Sequence, residues 1–175
     1  MTMEQSRRGF MGKVFGAVAG VGAVGALYAM KKSWDPLPSV KAAGFTTVDL
    51  SAAEPNKLMV EKWRGKPIFI LKKTPEMVAK QSAEQTARDI VVNGENFLIC
   101  IGLCTHLGCI PAYREAKQDF KCACHGGEFD ASGIDTLAPP PSPMVIPPFN
   151  VKGNTVVLGE EGETYRQMKD AGVLA

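Results

Sequence analysis

Two short stretches hold nearly all of the chain's soft-ligand chemistry. CTHLGC runs from Cys104 to Cys109 and CACHGG from Cys122 to Gly127, and together they contain four of the five cysteines and both histidines. Cys104-x-His106, fifteen intervening residues, then Cys122-x-x-His125 place thiolates and imidazoles at metal-ligand spacing. Such a set suits either a tetrahedral Cys2His2 zinc site or a 2Fe-2S cluster in which two cysteines hold one iron and two histidines the other. One more cysteine follows each first ligand, Cys109 in the first motif and Cys124 in the second. A zinc ribbon would leave two cysteines unused, an awkward outcome in a chain sent to an oxidising compartment, as the N-terminus indicates below.

The residues around these ligands point the same way. Gly108, Gly126 and Gly127 let the backbone fold tightly around inorganic sulfides, which need amide N–H donors. Leu107 lies on a loop between a ligand and a glycine and is expected to shield a cluster from water, and the proline-rich stretch from Asp130 to Pro148 reads as a third loop covering it. Two short loops have few hydrogen bonds of their own, so a covalent tie between them would limit fraying of the ligands. Cys100 falls in an apolar strand and reads as a small core residue.

The elements that must position these loops are strand-like. Thr46, Val48 and Leu50 alternate. Leu58-Met59-Val60 runs into a turn at Trp63-Arg64-Gly65-Lys66, and Pro67 to Leu71 follows as a short apolar strand. Thr74-Pro75-Glu76 supplies an N-cap, a proline at the first helical position and an acid in the first turn, so one short helix is expected towards Arg88. Phe97 to Leu103 is a buried strand leading into the first motif, and Phe149 to Lys152 pairs with Thr155 to Leu158 across Gly153-Asn154. The expected fold is mainly β, a small antiparallel-sheet domain with one helix.

The N-terminus carries an address. Arg7-Arg8-Gly9-Phe10 after Ser6 precedes an uncharged, glycine-rich run from Val14 to Met30, which resembles a twin-arginine export signal. As a helix this run is about 26 Å long, and extended back to Phe10 with Lys13 snorkelling it spans the roughly 30 Å hydrocarbon core. The flank from Ala26 to Lys32 offers no clean small-x-small cleavage site, so a retained anchor is expected. Residues 33 to 44, SWDPLPSVKAAG, read as an extended tether. A net charge of +2 and a pI near 8.3, with basic and acidic residues interspersed, point to no nucleic-acid partner.

The ligand pattern, with its surplus cysteines, resembles the Rieske iron-sulfur proteins. Trp63 to Ile70, the Val40-Lys41-Ala42-Ala43 tether, Thr74-Pro75-Glu76 and Ile146-Pro147-Pro148-Phe149 further resemble the iron-sulfur subunit of the cytochrome bc complex. The resemblance implies one 2Fe-2S cluster per chain, with Cys104 and Cys122 on the buried iron, His106 and His125 on the outer iron, and a Cys109 to Cys124 disulfide clamping the loops. It divides the chain into a cytoplasmic segment at residues 1–13, an anchor at 14–32, the tether at 33–44, a Rieske domain with its cluster-binding subdomain at 45–158, and a tail at 159–175.

Implied with these are partners and an activity. Cytochrome b and cytochrome c subunits in a dimeric complex, a membrane quinol and the lipid bilayer are the expected partners, and the cluster domain is placed outside a bacterial inner membrane. His125 is expected to hydrogen-bond the quinol and His106 to face solvent or the cytochrome, in a quinol–cytochrome c reductase. High-potential members carry a serine and a tyrosine where this chain has Gly127 and Phe129, so a lower potential, matched to a menaquinol-type donor, is expected. A Rieske subunit of an exported molybdenum oxidase such as arsenite oxidase is the alternative, against which WRGKPIFI and VKAAG speak. A dioxygenase ferredoxin would lack the surplus cysteines and the anchor.

Overall fold

The computed structural model describes residues 3–42 and 44–174. Met1, Thr2, Ala43 and Ala175 lie outside the described residues, and with them those positions of the expected signal, tether and tail. The chain forms two compact units, Met1–Ala42 and Ala43–Ala175.

In the first unit, helix α1 spans Met3–Trp34, so the expected anchor at 14–32 is the C-terminal part of a longer helix. Its 32 residues measure about 48 Å at 1.5 Å per residue, ample for a bilayer. It reaches so far because no proline interrupts the run before Pro36, which disfavours helical geometry at Asp35. The apolar side chains Phe15, Val18, Val21, Val24 and Leu27 are all exposed, and the segment Arg7–Val40 contains a stretch of mean hydropathy 1.6. This is the one helix among the described residues long and apolar enough to cross a membrane. The expected extended tether is partly helical: α2 covers Pro38–Ala42, opened by a proline whose missing N–H costs nothing in a first turn.

The second unit is a stack of three antiparallel sheets. The first has the order β1 (Thr46–Asp49), β11 (Thr155–Leu158), β10 (Phe149–Lys152), with Gly153 at φ +62° in the β10–β11 turn. The middle sheet runs β2 (Leu58–Trp63), β3 (Lys66–Lys72), β5 (Glu95–Ile101), β4 (Ile90–Val92). The third runs β6 (Ala112–Arg114), β7 (Asp119–Lys121), β8 (Glu128–Asp130), β9 (Asp135–Leu137).

The middle sheet explains the unbroken apolar runs. Successive strand residues point to opposite faces, and here both faces are covered. Ile68 and Ile70 of β3, with Phe97 and Ile99 of β5, enter one core with Val48, Phe149, Val156 and Leu158. Phe69 and Leu71, with Leu98 and Cys100, enter a second core with Phe120, Phe129, Met144, Cys104 and Cys122. The second core carries the cysteine loops. Phe69 stacks on Phe120 at 5.5 Å between centroids, so the third sheet is held against the middle one by aromatic contact. A Cβ on Gly102 would lie 2.4 Å from the Phe69 ring, which is why the chain leaves β5 for the first motif through a glycine.

The single helix expected after Thr74 is instead two one-turn helices, α3 (Pro75–Ala79) and α4 (Ala83–Ala87). Thr74 caps the first, accepting from the Met77 N–H at 3.3 Å, and Ser82 caps the second through the Gln85 N–H at 3.3 Å. A second N-cap inside the segment offers the backbone an alternative to continuing the helix. The tail forms α5 (Glu163–Asp170), which buries Tyr165 and Met168 in the first core.

Candidate iron-sulfur centre

The two motifs adopt one backbone scheme. In the first loop the Cys104 N–H donates to the Cys109 carbonyl at 2.7 Å and the Gly108 N–H to the Cys104 carbonyl at 2.8 Å. In the second, the Cys122 N–H donates to the Gly127 carbonyl at 2.8 Å and the Gly126 N–H to the Cys122 carbonyl at 2.9 Å. The fifth residue of each loop is a glycine at φ +79° or +78°, a conformation that a side chain disfavours. The loops differ in what they hang on this frame. Histidine is the third residue of the first loop and the fourth of the second, while the surplus cysteine is sixth in the first and third in the second.

The candidate ligands come together in two pairs, Cys104 beside Cys122 and His106 beside His125. Cys104 and Cys122 are 3% and 2% exposed and line the second core. His106 is half-buried and His125 exposed, and their rings stand edge to face with centroids 4.7 Å apart. Burial pushes the Cys104 thiol up from its ordinary value; the His106 N–H, donating to the sulfur, pulls it back, the adjacent Cys122 thiol raises it again, and the Leu107 N–H lowers it. These amide donors favour a thiolate once a metal supplies positive charge.

The sulfurs of Cys109, Cys122 and Cys124 also lie within 4.8 Å of one another. Two of the three are unavailable, because Cys109 and Cys124 are bonded to each other, with Cα atoms 6.7 Å apart. That disulfide ties the two loops. The donors left are two buried thiols and two outward imidazoles, a set that fits a cluster with one thiolate-bound and one imidazole-bound iron.

The third wall comes from the proline segment, although only part of the expected 130–148 loop is loop. Asp130 to Leu137 belongs to the β8–β9 hairpin, and the cover proper begins at Ala138. A Cβ on Gly127 would lie 2.5 Å from the Pro140 Cδ, and the Thr105 hydroxyl, between two ligands, donates to the Ser142 carbonyl at 2.6 Å. Neither Thr105 nor Pro140 stood out in the sequence, though Thr105 lies inside the ligand motif. Leu107 is 71% exposed and so is no core leucine; it stands with Ile110, 62% exposed, on the outer side of the first loop. Cys100 is fully buried beside the Met144 sulfur at 3.5 Å, its thiol pushed up to about 12 by burial. Phe129 is fully buried and offers no hydroxyl to the site.

Residues 54–152 match the Rieske [2Fe-2S] domain family. The chain is 35% identical over 156 residues to the "Ubiquinol-cytochrome c reductase iron-sulfur subunit" of Rickettsia felis, covering 83% of this chain and 88% of that protein. The protein of the same description from Bradyrhizobium diazoefficiens is 36% identical over 163 residues, covering 87% and 93%. A chain of a solved "Hyperthermophilic respiratory Complex III" superposes with a TM-score of 0.58 at 33% identity, covering 81% of this chain and 96% of that one. With that domain match and these relatives, this chain belongs to the Rieske iron-sulfur subunits of cytochrome bc complexes.

Proposed function

We propose that this chain is the electron-transfer subunit of a quinol–cytochrome c reductase, taking an electron and a proton from a membrane quinol and passing the electron to cytochrome c. Cys104 and Cys122 hold one iron in this reading, and His106 and His125 the other. The observation that carries it is the gradient of exposure across the ligands, from buried thiols through a half-buried His106 to an exposed His125. When bound, the cluster supplies one-electron acceptance at a potential between roughly −150 and +300 mV, above that of all-cysteine plant-type clusters.

The chain's own residues do the rest. His125 keeps one ring nitrogen free of metal, exposed enough to accept a hydrogen bond from a quinol hydroxyl and then its proton. His106, edge-on to it, is left for solvent or the cytochrome. Leu107 and Ile110 present apolar surface beside the imidazoles, suited to excluding water when the loop is seated against cytochrome b. The globular unit moves on its tether between quinol site and cytochrome c. Helix α1 is the retained anchor in this reading, with residues 1–13 in the cytoplasm and the globular unit outside a bacterial inner membrane, exported by the arginine pair and working in a dimeric complex.

The relatives are named for ubiquinol, yet Gly127 and Phe129 lack the hydroxyls that would donate to the cluster. Such donors favour the reduced form, which carries the extra negative charge, so this chain suits a low-potential, menaquinol-type donor. The deciding experiment purifies the complex with its haem b protein and titrates the cluster by EPR. A Rieske signal, a potential low in the range above and reduction by menaquinol support the reading; absence of a haem b partner sinks it.

A further inference from the structure

The chain continues past the family match at residues 54–152, and Val173 and Leu174 are bound into the loop that closes the cluster site. After α5 the chain turns at Gly172 with the Val173 N–H donating to the Met168 carbonyl at 3.0 Å. The Leu174 carbonyl then accepts the Ile146 N–H at 3.3 Å, and the Val173 carbonyl accepts Arg88 Nη1 at 2.6 Å.

Arg88 is 2% exposed and makes two more bonds of the same kind. Nε donates to the Ser132 carbonyl at 2.8 Å, and Nη2 donates to the Met144 carbonyl. One guanidinium thus joins the β8–β9 turn, the proline loop and the C-terminal tail. The fork geometry matters, since three nitrogens fixed in one plane reach three diverging carbonyls that an ammonium could not satisfy together.

The proline loop needs outside support. Pro139, Pro140, Pro141 and Pro143 have no N–H, so the loop can donate little to any ladder of its own. It is held instead by what reaches it: Thr105 at the Ser142 carbonyl, Ile101 N–H at the Val145 carbonyl at 2.8 Å, Gly133 beneath the Met144 N–H at 2.7 Å, and the Arg88 and Leu174 bonds. Met144 is two residues from Ser142 and four from Pro140, the two contacts that close the ligand loops.

We propose that Arg88, together with the C-terminal residues Val173 and Leu174, is a positioning latch for the 138–146 loop and so for water exclusion on that side of the cluster. The latch rests on the cluster reading alone, not on the choice of quinol. It acts through the loop and touches no ligand.

The test uses the full chain carrying its cluster, beside Arg88→Lys and a chain ending at Gly172, which keeps α5. Presence of the Rieske EPR signal in the unaltered chain checks the cluster reading separately. In the shortened chain the Ile146 and Met144 amides are expected to exchange on the order of tenfold faster, with the amides of β3 and of β5 up to Cys100 unchanged. The EPR signal should decay faster under a chelator, and the midpoint potential should rise, because admitted water favours the more negative reduced form. Arg88→Lys should show the same pattern. Unchanged loop exchange with an unchanged potential in the shortened chain would overturn the latch, and so would faster exchange spread evenly over β3 and β5.

Discussion

Pro140 occupies the space that a side chain on residue 127 would need: a Cβ there would lie 2.5 Å from its Cδ and 2.6 Å from its Cγ. The serine that the family resemblance leads one to expect at this place cannot be added without moving the cover of the cluster. Gly127→Ser alone should therefore lower cluster yield without restoring a donor. Phe129→Tyr is the cleaner test, since the buried ring already points into the second core. If each charge-assisted hydrogen bond is worth roughly 1.5 to 3 kcal/mol, the new hydroxyl should raise the midpoint by at most roughly 60 to 130 mV. An unchanged potential in an otherwise intact Phe129→Tyr protein would refute the proposed link between the missing hydroxyl and a low potential.

Replacing a ligand should be decisive where replacing a neighbour is not. Cys104→Ser, Cys122→Ser, His106→Ala and His125→Ala should each abolish the Rieske EPR signal, while Cys100→Ala, buried but outside the ligand set, should keep it. A normal signal from His125→Ala is the result that breaks the assignment.

The disulfide closes a sequence separation of 15 residues. Chain-entropy reasoning gives such a tie about 3 kcal/mol of stabilisation. Cys109→Ala or Cys124→Ala should still assemble a cluster that is lost faster on warming, measured as the decay of visible absorbance. A cluster as durable as in the unaltered chain would show that the hydrogen-bonded loops suffice.

Export is testable through the arginine pair. Clusters are assembled in the cytoplasm while the Cys109 to Cys124 bond needs an oxidising compartment, so the unit should cross the membrane already folded. Arg7→Lys with Arg8→Lys should leave the protein inside, as judged by protease accessibility of intact spheroplasts. Normal exposure of the double variant would count against the twin-arginine route.

Away from the cluster, Lys73 and Asp89 form an ion pair whose side chains are both 1% exposed. Ser132 accepts from Lys73 at 2.7 Å, and Asn96 and Gln81 donate to Asp89 at 2.7 Å and 3.1 Å. Lys73→Met leaves the carboxylate buried without its cation and should cost about 3 to 5 kcal/mol. Calorimetry should then find the melting temperature lowered by roughly 10 to 20 °C. Adding Asp89→Leu should recover much of that loss, and no recovery would mean that the polar contacts matter more than the charge pair.

Much of this protein was legible in the sequence because the relevant signals are local. Ligand spacing in CTHLGC and CACHGG, the apolar run of α1, the Thr74 cap and the β10–β11 turn each lie within a few residues. The runs at Pro67–Leu71 and Phe97–Leu103 announced buried strands, the second of which ends at Ile101, but that alternate residues feed two separate cores is visible only once sheets cover both faces. Strands β6 to β9 have three residues each, too short for a period of two to register. The second N-cap at Ser82, which splits the expected helix, won because Gln81 turns inward to Asp89 and Ser132 across the fold. Least legible were the contacts of Arg88, whose partners lie 44, 56 and 85 residues away. An arginine in a sequence carries no mark of which carbonyls will be left short of donors; that is decided only when a proline loop without N–H groups, a turn and the chain's end are brought to the same place.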